Sequence, residues 1–212
     1  MMKLTIFDCD GVLIDSELIS CSADAEALCA VGYDITTQQV IERFAGVPHK
    51  AMYKIIEEEM GAALPDDFEA QVTDVIMTKY RNELRAIEGA KEVLSRLDTA
   101  KCVASSSKPA KLALGLVETG LFELLYPHIF SAALVSRGKP HPDIFLYAAG
   151  QMGVDASECL VVEDSVAGVT AARAAGMTTI GFAGASHILP GHADRLRAAG
   201  ADKVINDLRD LL

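Results

Sequence analysis

The sequence predicts an α/β fold in which a parallel sheet with flanking helices is interrupted near its start by an α-helical domain. Two observations support this prediction. After residue 85, short apolar strands alternate with helical stretches, which is typical of β-α units in a parallel sheet. Between residues 16 and 85 the pattern is helical throughout. We therefore expect an α/β core of residues 1–15 and 86–212 and an α-helical domain of residues 16–85.

The first strand is the short apolar run Leu4–Phe7, which leads into two carboxylates and a glycine, Asp8, Asp10 and Gly11. Alternate residues of a strand face the same side, so both acids can face one small volume while Cys9 faces away into the core. In open parallel sheets, ligands bind at the carboxyl ends of the strands. We therefore expect a ligand site here, with Gly11 leaving space for a phosphate beside the backbone.

The helical domain is predicted to hold four helices with recognisable ends. Ser16 can cap the first helix and Gly32 stops it, Gly46 ends the second, and Gly61 ends the third. Thr36 or Thr37 starts the second helix and Pro65 opens the fourth. The predicted helices span residues 17–31, 37–44, 48–60 and 65–85.

The second half of the chain supplies the remaining strands and the helices that cover them. Strands in a sheet buried on both faces are continuous apolar runs, and those of this half have that character. The predicted strands span residues 102–107, 129–131, 160–162, 178–182 and 204–205. The predicted helices span residues 90–97, 108–118, 142–152, 165–175 and 208–212.

The composition narrows the class of protein. Of 212 residues, 50% are hydrophobic, so the chain can bury a sizeable core. No apolar run is long enough to span a bilayer, and the first strand follows Met1-Met2-Lys3 directly, which leaves no room for a signal peptide. The five cysteines are scattered without a C-x-x-C pair, which indicates a reducing compartment. We expect a cytoplasmic protein without membrane contact, either a monomer or a weak homodimer.

The net charge of −11 argues against a nucleic-acid surface. It does not argue against a small phosphorylated substrate, because a metal ion and a few local cations can reverse the field inside a cleft.

The spacing of Asp8 and Asp10 suits phosphoryl transfer. An aspartate nucleophile divides the reaction into formation and hydrolysis of an aspartyl-phosphate, while a second acid protonates the leaving oxygen and then deprotonates water. The same D-x-D-G letters occur in surface turns and calcium loops. A calcium loop would continue with further acidic ligands, whereas here Gly-Val-Leu-Ile follows.

Two further candidates follow strand ends. Ser105 and the N–H groups of the following helix can form an anion site, and Ser106 beside it is also expected to contact substrate. Ser107 can instead or in addition cap the helix, because Ser105 and Ser107 can have different roles. Lys139 lies in a loop stiffened by two prolines and can supply a point charge to phosphate, although a loop lysine is often only solvated.

Glu163 and Asp164 end the most apolar strand of the chain. Two adjacent acids at that position are costly unless a cation pairs with them, and Mg²⁺ is the natural partner for oxygen ligands near a phosphate. The alternative is a helix cap made by Asp164 with Ser165. A cap alone does not explain two acids at the ligand-binding end of a sheet, so we favour the metal.

Four segments in order, FDCDGVLIDSE, VASSSK, GKPHPDIF and VVEDSVAGVTAARAAGM, resemble the motifs of the haloacid dehalogenase-like hydrolases. The resemblance covers the α/β core and implies that family's Rossmann-like fold. The segment 16–85 looks like the family's small α-helical cap.

The resemblance implies roles for the motif residues. Asp8 would be the nucleophile and a Mg²⁺ ligand, and Asp10 the general acid/base that binds Mg²⁺ through its carbonyl. Ser105 would bond the phosphoryl group, and Lys139 would hold the nucleophile and the phosphate in place. The metal would also be bound by Asp164, with Glu163 ligating it or supporting it from behind.

Within the family, Asp10 argues against dehalogenases and phosphonate-cleaving members, which lack that acid. The chain looks nearest to sugar-phosphate phosphatases, including the 6-phosphogluconate type, so we expect a phosphatase of a sugar or sugar-acid phosphate. A mutase similar to β-phosphoglucomutase is the main alternative, but the positions of its cap His and Arg are Ser20 and His49 here, beside the turn Ala45-Gly46-Val47. The other alternative is a non-catalytic protein that binds a phosphorylated metabolite.

Three cap residues are candidates for contacting the far end of the substrate: Arg43, His49 and Lys50. Each alone is equally well explained as an ordinary surface charge.

Overall fold

The computed structural model of the chain describes residues 2–44, 47 and 49–212. The chain forms two compact units. The sheet unit comprises Met1–Asp15 and Arg85–Leu212, and the helical unit comprises Ser16–Leu84. Within the described residues, no helix is both long and apolar enough to cross a membrane.

The helical unit consists of four α-helices over its described residues. Each buries an apolar stripe, represented by Leu28, Val40, Ile56 and Val72, so packing of amphipathic faces stabilises the unit. The helices are α1 (Glu17–Ala30), α2 (Thr37–Phe44), α3 (His49–Met60) and α4 (Phe68–Glu83). The predicted helix end at Gly46, the turn residue Ala45 and the predicted start at Pro48 lie outside the described residues.

The sheet unit is built on six parallel strands in the order β3-β2-β1-β4-β5-β6. The strands are β1 (Leu4–Phe7), β2 (Ala100–Ser105), β3 (Ile129–Ser131), β4 (Cys159–Glu163), β5 (Thr178–Phe182) and β6 (Lys203–Ile205). The predicted fold class, a parallel α/β sheet of the Rossmann-like kind, is therefore confirmed.

Six α-helices belong to the described part of the sheet unit. They are α5 (Ala90–Arg96), α6 (Pro109–Glu118), α7 (Phe122–Leu125), α8 (Asp143–Met152), α9 (Val166–Ala174) and α10 (His192–Ala198). One core cluster joins β1, β2 and β4 to α8 and α9, with Ile6, Phe145 and Val161 fully buried. Burial of such side chains contributes roughly 1.5–3 kcal/mol each, which is why these strands are apolar along their length.

The register of the sheet brings the chemically interesting strand ends together. Phe7 of β1 lies opposite Val103 of β2 on one side and Val162 of β4 on the other. The residues that follow these three positions therefore lie at one edge of the sheet, and Asp8, Ser105 and Glu163 are among them.

The structure corrects several predicted elements. The second strand begins at Ala100 and ends at Ser105, not at residues 102 and 107, and the segment Leu208–Leu211 is a 3-10 helix. Helices α7 and α10 were not predicted. Helix α7 has only 4 residues, which is too short for a helical period to show in the sequence, whereas α10 has 7 residues and was simply overlooked.

Candidate active site

The first loop presents Asp8 and Asp10 at the carboxyl end of β1. The amide groups of Leu13 and Ile14 both donate to the carbonyl of Cys9, and Gly11 adopts a φ of 78°, so the chain turns sharply behind the two acids. Cys9 is fully buried, as predicted for a core residue. Burial, with the nearby Asp10 and Asp8 charges, raises the pKa of the Cys9 thiol well above its ordinary value, which disfavours a reactive thiolate.

Lys139 joins two of the predicted acids. Its Nζ lies 2.7 Å from Asp8 Oδ1 and 2.6 Å from Glu163 Oε1, and it donates to the carbonyl of Ala104 at 3.1 Å. The side chain is only 5% exposed. Burial lowers the pKa of Lys139, but the two carboxylates outweigh burial and raise it above its ordinary value. Lys139 is therefore a fixed cation in this site and not a solvated loop residue.

Asp8, Glu163 and Asp164 form a compact group of buried carboxylates, whose candidate ligand oxygens lie within 4.8 Å of one another. Burial raises the pKa of Asp8 well above its ordinary value, and its acidic neighbours add to this, although Lys139 opposes it. The group has more negative charge than one lysine offsets. Its oxygen donors fit a divalent metal ion, which prefers such ligands and would relieve the repulsion.

Glu163 is held by both of its oxygens. Oε1 accepts from Lys139, while Oε2 accepts from the amide and the hydroxyl of Ser165, each at 2.9 Å. A Cβ at Gly168 would lie 1.8 Å from the Glu163 carboxylate, so the start of α9 can pack on this side chain because residue 168 is glycine. These contacts hold the Glu163 carboxylate in one orientation, with Oε1 toward Lys139 and Oε2 toward Ser165.

Asp164 is not the cap of α9. That cap is Ser165, whose hydroxyl accepts from the Gly168 amide at 2.9 Å. Asp164 instead faces the first loop, because a Cβ at Gly11 would lie 2.0 Å from its Oδ2. His187 Nε2 lies 3.3 Å from the same oxygen. The helix-cap interpretation of Asp164 is therefore wrong, and its carboxylate belongs to the acidic group.

Asp10 is held by residues that sequence reasoning did not assign to it. Ser107 donates to Asp10 Oδ2 at 2.7 Å, whereas the predicted Ser105 lies at a marginal 3.4 Å. Ser105 Oγ also accepts from the Ser107 amide at 3.0 Å. Lys111 Nζ lies 3.5 Å from Asp10 Oδ1. The cap position of α6 is Lys108, so the interpretation of Ser107 as a helix cap is wrong.

A sequence signal existed for both missed residues. Ser107 lies two residues before the start of α6, and Lys111 lies in the first turn of that helix. Residues at the start of a helix that follows a strand lie at the ligand-binding edge of the sheet. Ser106, the other predicted contact in this segment, is exposed.

Two of the three predicted residues of the helical unit, Arg43 and His49, have partners within that unit. Arg43 pairs with Glu59 Oε1 at 2.5 Å and donates to the Tyr33 hydroxyl at 2.8 Å. His49 Nε2 lies 3.2 Å from Asp24 Oδ2. Lys50 is exposed on α3.

Comparison with known proteins gives a consistent picture. Residues 2–176 match the family model described as haloacid dehalogenase-like hydrolase. The chain is 30% identical to 6-phosphogluconate phosphatase of Escherichia coli (strain K12) over 190 residues, which cover 89% of this chain and 86% of that protein.

Solved structures agree with this result. A conserved haloacid dehalogenase-like protein from Agrobacterium tumefaciens str. C58 is 43% identical with a TM-score of 0.90, covering 100% of this chain and 96% of that one. A HAD family hydrolase from Deinococcus radiodurans R1, solved with bound phosphate and sodium, is 32% identical with a TM-score of 0.83, covering 99% and 93%.

Proposed function

The chain belongs to the haloacid dehalogenase-like hydrolases, and we propose that it is a magnesium-dependent phosphatase of small phosphorylated metabolites with Asp8 as the nucleophile. The observation that carries this proposal is the meeting of Asp8, Glu163 and Asp164 within 4.8 Å, with Lys139 bonded to two of them. The sequence predicted the family and the phosphatase class, and the comparisons confirm both.

The proposed metal is Mg²⁺. Every candidate ligand in the group is a carboxylate oxygen, the donor type that this ion prefers. We assign ligation to Asp8 and Asp164, with Glu163 ligating or supporting, and include the Asp10 carbonyl by resemblance to the family. When bound, the ion supplies positive charge that offsets the charge of the phosphoryl oxygens.

In the proposed reaction, Asp8 attacks the phosphorus. Lys139 holds Oδ1, so we assign the attack to Oδ2. A bond forms between this oxygen and phosphorus while the ester bond to the leaving oxygen breaks, which gives an aspartyl-phosphate. Lys139 also stabilises charge on the transferring group, whose transition state depends mainly on positioning and electrostatics.

Asp10 moves the proton in both steps. It first protonates the leaving oxygen of the alcohol product, and as a carboxylate it then removes a proton from the water that attacks the aspartyl-phosphate. Ser107 and Lys111 hold the two oxygens of Asp10, and this fixes the carboxyl group for both roles. We also propose that Ser105 contacts the phosphoryl group.

We propose a sugar or sugar-acid phosphate as the substrate. The support is the Escherichia coli relative, which is named for 6-phosphogluconate, and the Deinococcus radiodurans neighbour, which was solved with phosphate. The mutase alternative needs a cationic grip on a second phosphate. Three residues of the helical unit could supply that grip, and of these Arg43 is paired with Glu59, His49 lies 3.2 Å from Asp24 Oδ2, and Lys50 is exposed.

The test is a screen of phosphorylated metabolites with Mg²⁺, using release of inorganic phosphate as the measurement. We expect turnover of sugar or sugar-acid phosphates, and loss of turnover in Asp8→Asn, which keeps the size of the side chain but removes the nucleophile. Equal activity in the two proteins would overturn the mechanism. Absence of turnover in both would support the non-catalytic alternative.

A second assay separates phosphatase from mutase. The protein is incubated with β-glucose 1-phosphate and a bisphosphate primer. We expect inorganic phosphate or no reaction, and production of glucose 6-phosphate would identify a mutase.

A further inference from the structure

Two histidines contact the candidate metal ligand Asp164, and sequence reasoning gave a role to neither. His187 lies in the segment between β5 and α10, and His192 is the first residue of α10. One contacts the carboxylate of Asp164 and the other its backbone carbonyl.

The side chain of His187 is buried in the sheet unit and contacts the carboxylate of Asp164. Its Nε2 lies 3.3 Å from Asp164 Oδ2, and the residue is only 6% exposed. Gly11 of the first loop lies beside the same oxygen, because an added Cβ would be 2.0 Å from Oδ2 and 3.0 Å from His187 Cε1. The carboxylate is therefore packed against both the histidine ring and the first loop.

His192 holds the backbone of the same residue. Its Nδ1 lies 3.0 Å from an Arg195 guanidinium nitrogen, and arginine can only donate, so Nδ1 accepts. Nε2 therefore carries the proton and donates to the Asp164 carbonyl at 2.5 Å.

The segment that carries His187 is itself anchored to the first loop. The amide and the hydroxyl of Ser186 donate to Asp15 Oδ1 at 3.1 and 2.8 Å. The His192 amide donates to the Leu189 carbonyl at 3.1 Å, which closes the turn before α10. These bonds fix the backbone next to His187 and at His192.

We propose that His187 and His192 are positioning residues that hold Asp164 in its metal-binding orientation. The inference rests on the proposed function, because it takes Asp164 to be a ligand of the metal. A carboxylate that is already confined loses less rotational freedom when it binds a cation. Residues that orient metal ligands in this way are worth about 10- to 100-fold in metal affinity.

The experiment is calorimetric titration of the substrate-free protein with Mg²⁺. We compare the natural protein with His187→Ala and His187→Gln, because the Gln amide nitrogen can take the place of Nε2. His128→Ala is the matched control, since His128 is exposed in the sheet unit. We expect His187→Ala to weaken Mg²⁺ binding about 10- to 100-fold, His187→Gln to recover most of it, and His128→Ala to bind as the natural protein does.

Steady-state kinetics supply a second measurement. Because a positioning residue acts through Asp164, His187→Ala should need more Mg²⁺ for half-maximal activity but approach the natural kcat when Mg²⁺ is saturating. We expect His192→Ala to shift the Mg²⁺ requirement in the same direction and by less, since it removes a contact to the backbone and not to the ligand oxygen.

The outcomes separate the inference from the proposed function. If the natural protein binds Mg²⁺ and His187→Ala binds it equally well, the inference fails and the proposed function stands. If Gln binds as weakly as Ala, His187 acts by packing and the inference also fails. A natural protein with no affinity for Mg²⁺ overturns both. Circular dichroism shows whether each variant is folded. If His187→Ala is not folded, the Mg²⁺ affinity of His187→Gln is compared with that of the natural protein, and a much weaker affinity in His187→Gln would overturn the inference.

Discussion

The two units each contain a buried carboxylate site, and the sites differ in how their charge is balanced. In the helical unit, Asp24 is 2% exposed and accepts from the Tyr53 hydroxyl at 2.8 Å, with His49 Nε2 at 3.2 Å from its other oxygen. Burial and the Asp24 charge raise the pKa of Tyr53, so its hydroxyl keeps its proton and donates. This carboxylate is satisfied by its own neighbours.

The site of the sheet unit is different. There, three carboxylates lie within 4.8 Å of one another, and Lys139 bonds directly to two of them. Desolvated like charges repel, so such an excess of buried negative charge is costly unless a further cation binds. From the two sites we infer that a buried acid indicates function when its negative charge exceeds the positive charge of the surrounding side chains. A buried acid whose charge is offset by its neighbours indicates a structural role.

Replacing Lys139 should have the largest effect. Lys139→Met removes the cation between Asp8 and Glu163, so we expect kcat to fall at least about 10²- to 10³-fold. Removal of one partner from a buried pair also costs about 3–5 kcal/mol in the free energy of unfolding, measured with urea without Mg²⁺. Arg137→Met is the control, because Arg137 is an exposed cation in the same loop and pairs with Asp143 at the start of α8. It should change stability by less than about 1 kcal/mol. Similar losses in the two variants would contradict the assignment.

Mg²⁺ itself should stabilise the protein through the sheet unit. At 100 times its dissociation constant, a ligand that binds only the folded state adds about 2.7 kcal/mol to the free energy of unfolding. We expect this gain in the natural protein and in Tyr53→Phe, and its loss in Asp164→Asn, as measured by urea unfolding with and without Mg²⁺. A gain that persists in Asp164→Asn would place the metal elsewhere.

Substitutions of Ser107 and Ser105 test how much each contact with Asp10 contributes. Loss of one hydrogen bond to a charged group is worth about 1.5 kcal/mol, so Ser107→Ala should lower kcat about tenfold. Ser105→Ala should have a smaller effect through Asp10, since its distance of 3.4 Å is at the limit of a hydrogen bond. A larger loss of kcat in Ser105→Ala would show that its contact with the phosphoryl group outweighs its weak contact with Asp10.

Tyr53→Phe should give the smallest effect on the site of the sheet unit. It removes the hydrogen bond to the buried Asp24 carboxylate, so we expect a loss of about 1.5–3 kcal/mol in the free energy of unfolding and an unchanged Mg²⁺ affinity. Titration calorimetry and urea unfolding measure the two quantities on the same protein. A clear change in Mg²⁺ affinity would remove the distinction between the two sites.

Sequence reasoning found the parts of the site that depend on strand register. Asp8, Glu163 and Asp164 could be predicted to lie near one another because each follows the end of a buried parallel strand. The two histidines could not, because they lie in and after a loop whose path no periodicity specifies. Ser107 and Lys111 were missed although their position around the start of α6 gave a signal, because their contacts with Asp10 depend on side-chain rotamers. Helix α7 was missed for a related reason, since a single turn leaves no pattern to recognise.

The glycine at position 11 has a consequence for protein engineering. Its missing side chain lets the first loop lie directly against the Asp164 carboxylate, so the segments around residues 11 and 164 share one steric boundary. A designer who transplants the Asp8-Asp10 segment into another scaffold would have to bring the Asp164 segment with it. Copying either alone would leave a gap or a collision where the two should touch.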